Sequence, residues 1–223
     1  QLPQSMWSKH SLYPEFELVS QAGTDQFIYL QVRNFRSLNL PLRFAPTQQR
    51  DAQRLGEFAA LGVILGSLLS LCLLSLIRYT EHRNPADLMA SAYGLAIALT
   101  IAALNGVTGA LLWSETLFWS SYAQTALPPL TMGLALLFLR DLYAMSTRHR
   151  RYDIVLVSTG WMAIASILRM LLLDRAAAHL IITTVTFLAT VVGMIGALLS
   201  WRFRSAIGRI LVTSYVLQLL AMM

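Results

Sequence analysis

The sequence predicts a mainly α, multi-pass membrane helical bundle, with the end of an extracytoplasmic β-sandwich in front of it. Three observations predict this. Hydrophobic residues make up 56% of the 223 residues and charged residues only 13%, against roughly 25% charged in an average soluble domain. The apolar residues gather in runs, and about 20 such residues cross a bilayer as helix. The charges lie between those runs, with Arg169 as the one exception inside a run.

Charge and cysteine content narrow the class further. Of 17 basic residues only Lys9 is a lysine, and the formal net charge is +6. The arginines are spread over loops instead of forming one patch. That favours a lipid bilayer as partner and argues against nucleic acid. The lone cysteine, Cys72, excludes an internal disulfide and a cysteine-based metal cluster, and its apolar surroundings read as those of a small buried hydrophobe. The chain starts at Gln1 without a signal-type stretch and stops inside an apolar run, so it is expected to be the middle of a longer protein.

Residues 1–46 are polar and read as strands. Phe16 and Leu18 alternate with Glu15 and Glu17, and 22–25 is a turn signal. Residues 26–32 are short, aromatic and β-branched, and Leu38, Leu40, Leu42 and Phe44 recur at period two. Pro41 suits an edge strand, since proline cannot donate to a ladder. Three strands make no independent core, so this is the expected end of a β-domain that begins upstream. Residues 47–56 read as a polar linker, and 57–223 as the bundle.

The apolar runs are 58–77, 89–113, 117–139, 154–173, 176–201 and 210–223, the last too short as it stands. Six spans are therefore expected, with a seventh beyond the end. Arg78 and Arg83 lie in the first loop, Arg140, Arg148, Arg150 and Arg151 in the third, and Arg202, Arg204 and Arg209 in the fifth. The second loop has no arginine, and the fourth only Arg175 beside Asp174. Odd loops are then cytoplasmic and the N-terminus is outside. Tyr79, Tyr143, Tyr152 and Trp201 mark the inner interface, and Trp113, Phe118 and Trp119 the outer one.

No catalytic constellation stands out, and no cofactor or metal is expected. His10, His82 and His149 fall outside the spans, which leaves His179 without a facing histidine for haem. No buried lysine could carry a Schiff base, and no Walker or GxGxxG loop occurs. Whether the whole protein is an enzyme stays open at this stage.

Several positions could carry a signal. Arg169 lies one turn before the outer end of its span, and an intramembrane charge is a functional candidate by default. The plainer reading has it snorkelling to the interface or pairing with Asp174. Glu57 starts the first span and could meet Arg169 or Arg175 outside, or simply be solvated at a helix start. Asn105 could cross-link helices, as structural glue or as part of a relay. Pro128 and Pro129 are expected to bend the third span, as a hinge or as a packing bend. Gly62 and Gly66 form a GxxxG match that allows close approach, for packing within the chain or for dimerisation.

The order of these features resembles the bacterial seven-transmembrane receptors with diverse intracellular signalling modules. The phrases "YLQVRN" and "LPLRF" resemble the end of that family's extracytoplasmic jelly-roll domain. "RLGEF" precedes the first span, and 82–85 form a short basic loop before a second span that bears Tyr93 and, late in it, Asn105-Gly106. Leu111-Leu112-Trp113 and Phe138-Leu139-Arg140-Asp141-Leu142 resemble the family's exits from the second and third spans. Asn84, where an Asp is usual, and Ser114, where Pro often follows, are departures. The resemblance implies a receptor in a bacterial inner membrane whose output module follows the seventh span. It also implies a diguanylate cyclase or a sensor histidine kinase as that output, a homodimer, and a small extracytoplasmic ligand, a carbohydrate being one candidate. The competing classes are a transporter or channel subunit and a membrane-embedded enzyme. The first lacks a line of polar groups at the midplane of the spans, and the second lacks a nucleophile with a base in reach.

Overall fold

The computed structural model describes residues 46–112, 114–142, 150–172, 175–202 and 212–213. The expected strands of 1–46 and almost all of the sixth apolar run lie outside these residues. The described elements are six helices: α1 (Thr47–His82), α2 (Pro85–Leu104), α3 (Val107–Leu111), α4 (Leu117–Leu142), α5 (Arg150–Leu172) and α6 (Arg175–Arg202). Five of them are long and apolar enough to cross a membrane: all except the five-residue α3. No strand occurs among the described residues.

Local chemistry sets where the helices begin and end. Arg83 takes a left-handed conformation, φ 52°, and ends α1. Asn84 then caps α2 by accepting the Ala86 N–H at 3.2 Å, with Pro85 as the first helical residue. Asn and Asp cap about equally well, so the departure at position 84 leaves the cap intact. Gly106, with φ 76°, lets the chain turn out of α2 and restart as α3.

Two expectations change here. Residues 47–56 are helical and continuous with the first span. Their Gln, Arg, Ala and Leu are good helix formers, so polarity does not break the helix. At 36 residues α1 is about 54 Å long, well beyond the roughly 30 Å hydrocarbon core. The second span ends at Leu104 rather than running on to 113, because Asn105-Gly106 breaks it.

The core has the composition of a membrane bundle. Its buried apolar side chains are mostly alanines, among them Ala103, Ala163, Ala189 and Ala197, whereas Val63, Leu71, Leu73, Leu168 and Leu180 are exposed. A soluble protein would bury many of its large apolar residues together with the small ones. In lipid no hydrophobic force drives helices together, and small residues let backbones approach. α4 is the central helix, packing against α2, α5 and α6. α1 packs against α2, where a Cβ on Gly94 would stand 2.7 Å from the Cys72 Sγ. α4 and α5 cross at Gly133 and Gly160, where a Cβ on Gly133 would lie 2.7 Å from the Gly160 carbonyl oxygen. The GxxxG pair takes no part in these crossings: a Cβ on Gly62 or Gly66 would meet nothing within 4 Å.

Candidate signal-relay site

The positions singled out in the sequence do not come together among the described residues. Glu57 pairs with Arg50 on its own helix, at 3.1 Å across two turns of α1. Arg169 lies in α5 and Arg175 opens α6, but the side chains of both, and Asp174 altogether, fall outside what the structure describes. Among the described residues Asn105 makes no cross-link between helices. It stands at the end of α2, and its side-chain amide donates to the Ile101 carbonyl of the same helix at 2.8 Å. An Asn just past a helix has a backbone carbonyl one turn back within easy reach, and that local bond wins over a distant one.

Pro128 and Pro129 lie inside α4, which continues through them to Leu142. Proline brings no N–H, so neither residue donates to the carbonyls of Gln124 and Thr125 one turn earlier. Pro129 is fully buried. The next turn ties the helix on two sides. Thr131 and Thr100 of α2 join hydroxyls at 2.7 Å, and Thr100 also bonds the Ala96 carbonyl at 2.7 Å. A carbonyl only accepts, so Thr100 spends its proton on Ala96 and Thr131 donates to Thr100. Two residues on, Gly133 makes the close crossing with α5.

The stronger polar contacts lie at the arginine-rich end of the bundle. Arg140, near the end of α4, forks onto Asp153 in the first turn of α5: Nε to Oδ1 at 2.7 Å, Nη2 to Oδ2 at 3.4 Å. The Asp153 side chain is 13% exposed and Arg140 38%. The neighbouring Tyr152 hydroxyl donates to the Val192 carbonyl of α6. Gly196, one turn along α6, makes room for that ring, since a Cβ there would stand 3.0 Å from the hydroxyl oxygen. Leu136, Leu139, Leu156, Ala189, Val192 and Ala197 form an apolar cluster against which Tyr152 packs. Tyr93 of α2 stacks on Phe138 of α4 at 5.8 Å. A looser pair of the same pattern ties α1 to α2: Arg78 and Asp87 at 3.7 Å, with Arg78 67% exposed.

Sequence reading passed over Arg140–Asp153, counting Arg140 as loop charge and as part of the third span's exit, and it placed Tyr152 in an interface belt. A usable signal was present. The two arginine-rich hairpins among the described residues each have an Arg in the last turns of the outgoing helix and an Asp in the first turn of the returning one, where the helix dipole also favours a carboxylate.

Apolar spans around small-residue crossings, with polar ties at one end, describe a membrane bundle but not its class. The family decides that: the model of the 7TM diverse intracellular signalling family matches residues 57–223. The chain belongs to this family. No curated protein and no solved structure matches it. A membrane location and a general role in membrane signalling follow for this 7TM signalling protein.

Proposed function

We propose that the chain is the sensing and relay part of a receptor in a bacterial inner membrane. It responds to an extracytoplasmic ligand and controls an output module after the last span, a diguanylate cyclase or a sensor histidine kinase. The observation that carries this reading is the family match across the whole bundle. The continuous α1 supports it, because a helix that joins the segment before the bundle to the first span without a break can pass on a displacement. The arginine-rich loops support a cytoplasmic position for that end. Dimerisation fits the open faces of Gly62 and Gly66. A small ligand, such as a carbohydrate, suits the strands expected before residue 47.

Topology is tested by cysteine labelling in a Cys72-free background. Cysteines at positions 120 and 146 are expected to react from opposite sides of the membrane, and reaction of both from one side would reverse the reading. The relay is tested on the full-length receptor with expression matched. Glu57→Ala and Arg169→Ala are each expected to change basal output or ligand response. Unchanged values in both would remove the outer-level charges from the relay.

A further inference from the structure

We infer that the Arg140–Asp153 fork and the Tyr152–Val192 bond together form a lock. It holds the arginine-rich ends of α4, α5 and α6 in one signalling state and opens in the other. This rests on the receptor reading given above.

The two ties leave from adjacent residues in the first turn of α5, one toward α4 and one toward α6. That turn therefore cannot shift against either neighbour while both ties hold. Helix displacements of about 1–2 Å occur at switching subunit interfaces, and one of that size would carry the fork out of hydrogen-bond range.

A lock must also be able to open: Arg140 and the Val192 carbonyl have other partners to turn to, and the helix start offsets part of what Asp153 loses. Arg140 is 38% exposed and can swing to water or a lipid phosphate, as arginines near helix ends do. Asp153 sits in the first turn of α5, where the unpaired N–H groups and the dipole favour a carboxylate. The Val192 carbonyl lies inside α6, where its in-helix donor would be the N–H four residues on. Losing the phenol therefore leaves no orphaned acceptor. A buried ion pair is weak as a source of net stability, because desolvation offsets most of the attraction, and its best-attested use is to specify one arrangement over another. The Arg78–Asp87 pair, longer and more exposed, leaves the α1–α2 hairpin more loosely tied than this junction.

The test uses the full-length receptor in membrane vesicles. It reads cyclic di-GMP formed from GTP and phosphate incorporated from ATP, each divided by the amount of folded receptor. Asp153→Asn keeps the shape and removes the charge. It is expected to move ligand-free output about fivefold or more, the size of an ordinary allosteric coupling. Tyr152→Phe should move it in the same direction by less. The exchange Arg140→Asp with Asp153→Arg should return it toward the wild-type level, which a role in stability alone would not do for output per folded receptor. Unchanged output in Asp153→Asn, or opposite shifts in Asp153→Asn and Tyr152→Phe, overturns the lock. If Asp153→Asn does not accumulate, Arg140→Lys and Tyr152→Phe decide, and unchanged output in both overturns it. A wild-type receptor with neither activity would overturn the receptor reading instead.

Discussion

Leucine in place of Gly133 is expected to disrupt the bundle more than any other single apolar change. A Cβ alone at this position would lie 2.6 Å from Ile164 Cγ1 and 2.7 Å from the Gly160 carbonyl oxygen. The second atom belongs to the backbone of a helix, so it cannot rotate away. Even Gly133→Ala must push α4 and α5 apart, at a cost of about 1–3 kcal/mol for overpacking. A leucine would separate the two helices across several turns and open the crossing above the Leu136–Leu156 cluster. Gly62→Leu and Gly66→Leu are the internal controls. Neither position meets another atom within 4 Å, and an exposed helical glycine gives up about 1 kcal/mol relative to better helix formers. Unfolding of the purified protein in mixed micelles, by titration with sodium dodecyl sulfate, measures all of them. Gly133→Ala should lower the midpoint clearly, Gly133→Leu should fail to accumulate, and the two controls should match or exceed wild type. Equal midpoints for Gly133→Ala and Gly62→Leu would show that the crossing is not tight.

The spans were legible because hydrocarbon imposes a length and excludes charge. The run at 58–77 lies within α1, and the runs at 117–139, 154–173 and 176–201 fall on α4, α5 and α6 to within a few residues. Hydropathy has no term for backbone propensity, which is why it carried the second span through Asn105-Gly106, although that dipeptide is a common way to stop a helix. For the same reason the polar stretch 47–56 looked like a linker while folding as helix. Which face a residue takes was not legible. Gly62-xxx-Gly66 carries the familiar spacing and faces no neighbour among the described residues, whereas Gly133 and Gly160 are 27 residues apart in the sequence and meet at a crossing. Arg140 and Asp153 are likewise separated by a loop, and each has other charges beside it. Only the turn on which each sits brings them together.

Removing Arg140 should cost the bundle far more than removing Asp153, although the same fork is lost in both cases. The difference lies in what is left behind. Arg140→Ala strands a carboxylate whose side chain is only 13% exposed. Stranding one member of a buried pair costs about 3–5 kcal/mol, and the first turn of α5 returns part of that, roughly 0.3–1 kcal/mol, through the helix dipole. Asp153→Ala leaves an arginine that is 38% exposed at the end of α4. Its long stem can carry the guanidinium out to water or headgroups, and the loss approaches that of an exposed pair, about 0–1 kcal/mol. The double variant Arg140→Ala with Asp153→Ala should therefore be more stable than Arg140→Ala alone, because it removes the stranded charge together with its partner. The same detergent titration orders the three. The expected ranking from least to most stable is Arg140→Ala, then the double variant, then Asp153→Ala close to wild type. Equal losses in the two single variants would mean that Asp153 reaches solvent as freely as Arg140 does, and the fork would then be a surface pair with nothing to hold shut.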